Sequence, residues 1–258
     1  MDNLPDLPPT PAPAPDPWAG LRAFTAARIA LGRSGTSVPL REALAFKLAH
    51  AHARDAVYSE LDSERLLAEL AALSLAVCQV SSRAQNRQEY LQRPDYGRQL
   101  NEASKAHLAA SAAGACDLAI VLADGLSATA INAHALPLLR ALLPLLQQLG
   151  FHLGPLALAE QARVALGDEV GHLLRAQLVL VLIGERPGLS APDSLGAYFT
   201  YGPRPGLTDE ARNCVSNIRP AGLPYPAAAA KLSWLLHEAL RRQLSGVALK
   251  DQADLLAE

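Results

Sequence analysis

LVLVLIG (178–184), bounded by Gln177 and Glu185, decides how this chain is read. The run has the length of a strand and no polar residue on either alternating set, so both of its faces must be buried. Working outward, Asp117-LAIVLADG is a second run of this kind that ends in a turn, and Gly154-PLALAE is a third. Ala197–Tyr201 has the composition of a fourth strand. Between these runs the spacing becomes helical. One helix starts at Ser127 and continues through Leu136, Leu139, Leu142, Leu143 and Leu146, with a kink or break expected at Pro144. Another covers Gly167 to Arg175, and an amphipathic helix runs from Ala227 to Leu244 and is closed by Gly246. Apolar strands alternating with helices predict an α/β fold, with a Rossmann-like parallel sheet covered by helices over about 116–258.

Upstream, residues 21–115 read as a helical region. Leu40, Leu44, Leu48, Val57 and Leu61 fall near helical spacing, as do Leu66, Leu70, Leu73 and Val77, with Ser63 placed to cap the second run. Residues 32–39 form a loop with two glycines. Residues 1–17 hold seven prolines and little that can be buried, so 1–20 is expected to be an extended tail.

The bulk numbers exclude several function classes. A net charge of −2 lacks the basic stripe needed to neutralise many phosphates, so nucleic acid is not an expected partner. No run reaches the ~18 apolar residues of a membrane helix, and the proline-rich start does not read as a signal peptide. Cys78, Cys116 and Cys214 form no CxxC pair and read as reduced thiols, so a cytoplasmic location is expected.

In a parallel sheet, ligands collect at the carboxyl ends of the strands. Three segments meet that condition: 124–127 (DGLS), 161–164 (QARV) and 184–188 (GERPG), and the polar loop 212–219 (RNCVSNIR) is placed to close over the same edge. The dinucleotide fingerprint GxGxxG is missing after the first strand, and GxxxxGK[ST] occurs nowhere, which argues against an autonomous NAD enzyme or P-loop nucleotidase. Gly125-Leu-Ser127-Ala-Thr129 approaches the GxSxG nucleophile elbow, but β-branched Thr129 stands where the turn needs a small residue. Ser127 is better read as a helix N-cap. The pair His50 and His52 points to opposite sides of a helix, so no metal site is expected. Glu185 directly follows the clearest strand. A ligand-binding carboxylate and an ion pair with Arg186 or Arg163 both remain open for it.

Seven stretches in order carry a resemblance: LRAFTAARIALGRSGTS (21–37), FKLAHAHARDAV (46–57), SSRAQNRQEYLQRPDYGRQL (81–100), DLAIVLADGLSATA (117–130), EQARVALGDEVGHLL (160–174), LIGERPGLSAPDSLGAYFTYGPR (182–204) and RNCVSNIRPAG (212–222). The chain resembles the small subunit of adenosylcobalamin-dependent ethanolamine ammonia-lyase over almost its whole length after residue 20. That resemblance implies a hetero-oligomer in which a large subunit binds ethanolamine and houses the radical chemistry, releasing acetaldehyde and ammonia. The small subunit packs on it, here through 21–115, and forms part of the cobalamin site. It implies cobalamin contacts at Val164, Glu185 and Cys214, no catalytic residue and no metal ligand in this chain. The DxHxxG cobalt-ligand pattern is absent, in keeping with a cofactor that retains its own benzimidazole.

The N-terminus departs from the family. In some members it addresses the enzyme to a bacterial microcompartment through a short amphipathic helix, which a proline-rich tail cannot form. Free cytoplasmic and encapsulated enzyme both stay open. Two other readings of the chain stand beside the resemblance: a stand-alone serine hydrolase using Ser127, and an architectural subunit without cofactor contact.

Overall fold

A computed structural model describes residues 16–250 apart from 74 and 113; most of the expected tail therefore lies outside the described residues. After an opening 3-10 turn come α1 (Leu40–Val57), α2 (Ser63–Ala71), β1 (Val77–Ser81), α3 (Arg87–Gln92) and α4 (Glu102–Ser111). Then follow β2 (Cys116–Ala123), α5 (Ala128–Gln148), β3 (Leu156–Glu160), α6 (Leu166–Leu173) and β4 (Ala176–Gly184). The chain continues with β5 (Leu195–Tyr201), β6 (Arg212–Ile218) and α7 (Tyr225–Arg242). The described strands form a six-stranded sheet in the order β1-β3-β2-β4-β5-β6. The first four in that order run parallel, while β4, β5 and β6 pair antiparallel. The fold is α/β, as expected.

Strand alternation sorts the core by size. Leu118, Ile120, Leu122, Leu178, Leu180 and Leu182 face one side, where they pack with α5 and α7. The intervening Ala119, Val121, Ala123, Val179, Val181 and Ile183 face the other, under α6 and Leu108 of α4. The smaller side chains let α6 approach the sheet closely. A Cβ at Gly167 would collide with Val181, and one at Gly171 with Pro203. This close seat fixes the loop that enters α6. Because β4 and β5 are joined by a hairpin rather than a crossover helix, Tyr198 of β5 lies beyond α6 and is only partly covered on that face.

Several local expectations are corrected. Val77 begins a strand rather than ending a helix: α2 stops at Ala71, and β1 joins the sheet beside β3. The sheet therefore starts well before 116, inside the region read as helical. Asp62, not Ser63, caps α2 by accepting from Arg65 N–H at 3.3 Å. Residues 212–218 are the edge strand β6, not a loop. Gln243, in the left-handed region at φ 57°, ends α7 ahead of Gly246. Helix α5 runs unbroken through Pro137 and Pro144, because its buried leucines are held by the sheet and α7 on both sides of each proline. By length and composition α5 would also suit a membrane span, but here it is a core helix.

Candidate functional site

Segment 161–164, between β3 and α6, is built around a buried carboxylate. Asp124 at the end of β2 accepts from Gln161 N–H and Ala162 N–H, each at 2.9 Å, and Gln161 is held in the left-handed region at φ 52°. Arg163 N–H donates to Gly97 carbonyl at 2.8 Å and Tyr90 hydroxyl donates to Ala162 carbonyl at 3.1 Å. Burial pushes the Asp124 carboxyl up to about 6, against the lowering effect of the Ala162 and Gln161 amides and of Arg87. Arg87 is not a surface arginine. Its Nη1 donates to Gly125 carbonyl at 2.8 Å and stands 3.5 Å from Asp124, while its Nε donates to Val57 carbonyl. The Tyr90 ring packs against both Arg87 and Arg163, at 4.7 and 4.3 Å from the ring centroid.

The outcome of this scaffolding is that Val164 lines a cavity. A hollow of about 330 Å³ is lined by Val164, Cys214, Tyr198, Arg98, Arg163, Arg212 and Asp209. A neighbouring hollow of about 570 Å³ shares Arg98 and Asp209 with it. Cys214 lies directly opposite Tyr198 in the β5–β6 register. Crowding by its surroundings and the nearby Glu185 charge raise the Cys214 thiol above its ordinary value, partly offset by the Tyr198 hydroxyl. This is not a reactive thiolate. Beneath the cavity, Arg212 pairs with Asp168, both side chains being 3% exposed. Burial holds the Asp168 carboxyl above its usual range even with that partner.

Glu185 is the first residue beyond β4. It takes neither of the ion pairs weighed for it. Ser194 hydroxyl and Asn217 N–H, the latter at 3.2 Å, both donate to Oε2. Oε1 accepts from no protein group among the described residues. Gly196 stands near both this carboxylate and the Tyr198 ring. A Cβ there would lie 3.0 Å from Glu185 Cγ and Oε1 and from Tyr198 Cε2, so the missing side chain leaves room for both. Val164 and Cys214 are thus brought together in one cavity, whereas Glu185 is not among its lining residues and stands near Tyr198 beside Gly196. Cys214 reaches it from a strand rather than the expected loop.

Behind the wall, the buried Arg163 Nε and Arg212 Nε have no acceptor among the described residues and no surface open to the cavity. A ligand rimmed with amides supplies the amide donors that Glu185 Oε1 lacks and an apolar surface for Val164 and the Tyr198 ring. The side chains present therefore fit a corrinoid. Tyr198 and Gly196 were not singled out in the sequence, whereas Arg163 and Arg212 lie in the segments 161–164 and 212–219 that were.

Ser127 has the right place for an N-cap but makes no cap bond. Fully buried, it donates to Pro192 carbonyl at 2.9 Å. Histidine 134, seven residues on, has both ring nitrogens engaged elsewhere, at Tyr225 and Asp193. No base activates this serine among the described residues, and the hydrolase reading gains no support from the geometry.

The family model described as "Ethanolamine ammonia-lyase light chain" matches residues 15–250. The chain is 58% identical over 238 residues to the ethanolamine ammonia-lyase small subunit of Bradyrhizobium diazoefficiens, covering 92% of this chain and 91% of that one. It is 55% identical over 247 residues to that of Rhodopseudomonas palustris, covering 96% and 95%. To that of Pseudomonas aeruginosa it is 53% identical over 258 residues, covering 99% and 93%.

Proposed function

The chain belongs to the family of ethanolamine ammonia-lyase light chains, and on that premise we propose that it binds adenosylcobalamin together with a large catalytic subunit. Adenosylcobalamin, when bound, supplies the carbon radical that starts the conversion of ethanolamine to acetaldehyde and ammonia. This chain contributes no reacting group. Its residues bind and orient. Val164 and the Tyr198 ring offer an apolar wall, Cys214 a small surface beside it, and Glu185 Oε1 an acceptor for amide donors. The observation that carries this reading is the cavity wall itself, where Val164 and Cys214 meet beside the Tyr198 ring.

Packing on the large subunit is supported by a different surface. Leu40, Leu44 and Leu48, one turn apart on α1, are 74, 54 and 58% exposed, and Phe24 nearby in sequence is 86% exposed. Of the α1 residues only Ala56 is buried. A stripe of this kind marks an interface rather than a solvated face. A cytoplasmic location for the complex, free or inside a microcompartment, is part of the same proposal.

The test is coexpression with the large subunit from the same genome, followed by cyanocobalamin binding and acetaldehyde formation. Activity needing both chains, and weaker corrinoid affinity in Glu185→Ala, is the expected result. An active complex with corrinoid affinity untouched by Glu185→Ala would return this chain to a purely architectural role.

A further inference from the structure

The loop 185–194 leaves the sheet at Glu185 and returns at Ser194. Its two ends are tied to each other. Glu185 N–H donates to Ser194 carbonyl at 3.0 Å, and Ser194 hydroxyl donates to Glu185 Oε2. The returning limb is held from outside by three side chains remote in sequence. Ser127 hydroxyl donates to Pro192 carbonyl, His134 Nε2 meets Asp193 Oδ2 at 3.1 Å, and Arg219 Nη1 stands 3.7 Å from Asp193 Oδ1.

His134 is buried within α5, and its second nitrogen, Nδ1, meets Tyr225 hydroxyl at 2.8 Å at the start of α7. A carboxylate only accepts, so Nε2 carries the proton toward Asp193 and Nδ1 accepts from the Tyr225 hydroxyl. One ring tautomer satisfies both bonds. The polar chain Tyr225–His134–Asp193 therefore joins two core helices to a single loop position. The packing of α5 on α7 does not require it, since Leu138, Leu142, Leu232 and Leu235 already fill that core. What the chain does fix is the residue after Asp193, which is the hydroxyl donor to Glu185.

We propose that Asp193, anchored by His134 and Tyr225, is a positioning residue for Glu185. By holding Ser194 on Glu185 Oε2 it leaves Oε1 aimed at the amide donors of a bound corrinoid. A ligand contact on a loop is only as well placed as the groups behind it. The inference rests on Glu185 being a corrinoid contact, and the experiment separates the two.

Cyanocobalamin affinity is measured for the complex of both subunits carrying Glu185→Ala, Asp193→Ala, the double substitution, and Asp193→Asn. Asp193 is half-buried at a loop, so each variant is expected to assemble with its melting temperature little changed. Glu185→Ala is expected to weaken binding about tenfold. Asp193→Ala should weaken it about fivefold when Glu185 is present and by less than about twofold when it is not, the non-additivity that marks one residue acting through another. Asp193→Asn, which keeps an acceptor for His134, should recover most of the affinity. His134→Leu should copy Asp193→Ala without touching the loop. Equal losses for Asp193→Ala in both backgrounds, or none in either, would overturn the positioning role while leaving Glu185 as a contact. No loss in Glu185→Ala would overturn the contact, and the positioning role with it.

Discussion

Asp124 and Gln161 are locked together across the carboxyl edge of β2 and β3: the carboxylate accepts the Gln161 amide at 2.9 Å and so holds Gln161 at φ 52°. A residue other than glycine keeps that conformation only where its surroundings insist on it. Asp124 is thus the fixed point from which Val164 is hung.

The first prediction concerns pH. The folded-state value of Asp124, about 6, lies above its ordinary 3.8, so folding favours the protonated carboxyl. Its contribution to stability is fully present below about pH 4 and is lost as pH rises through 6, on the order of 3 kcal/mol in all. Relative to Asp124→Asn, the melting temperature of the native chain should fall between pH 4 and 6. Parallel pH curves for the two proteins would contradict this.

Adding one methyl group at Gly196 should separate binding from folding. Gly196→Ala places a Cβ 3.0 Å from both Glu185 and the Tyr198 ring. One of the two must move, by a few tenths of an ångström. The expected result is a corrinoid affinity weakened about fivefold to tenfold with a stability loss near 1 kcal/mol. Unchanged binding would mean that the spacing of Glu185 and Tyr198 around Gly196 has no part in the site.

Arg212 and Asp168 make a different prediction, because both are buried. Arg212→Met leaves the Asp168 carboxylate without its counter-charge and should cost roughly 3–5 kcal/mol in chemical denaturation at neutral pH. The loss should shrink in acid, where Asp168 becomes protonated. Burial already holds its carboxyl high in the native protein.

The stripe on α1 gives the fourth. Leu44→Asp with Leu48→Asp puts two charges on a face that is open in this chain. The melting temperature of the small chain alone should change little, whereas its association with the large subunit should weaken by at least tenfold. Association that survives both charges would locate the interface elsewhere.

Much of the sheet was legible because double-sided burial leaves an unmistakable run such as 178–184. Strand β1 was not. Val77 continues a spacing begun by Leu66, Leu70 and Leu73, and only pairing with β3 makes residues 77–81 extended rather than helical. The same limit hid Cys214's strand, because an edge strand with a polar face reads as a loop. Of the site, Val164, Glu185 and Cys214 entered by resemblance, and the structure gathers Val164 and Cys214 in one cavity. The nearness of Gly196 to Glu185 and Tyr198 is a distance that no local pattern encodes. The chain from Tyr225 through His134 to Asp193 spans helices that are far apart in sequence.

The β4–β5 hairpin has one further consequence. On the α5–α7 side the sheet is roofed to its edge, but on the α6 side no α-helix among the described residues covers β5, and Tyr198 is only partly covered beyond α6. A flat ligand seated there would occupy the berth of the missing helix and finish the outer layer of the domain. Its occupancy would then add to the stability of the fold by mass action, so this chain and its ligand would melt as one body.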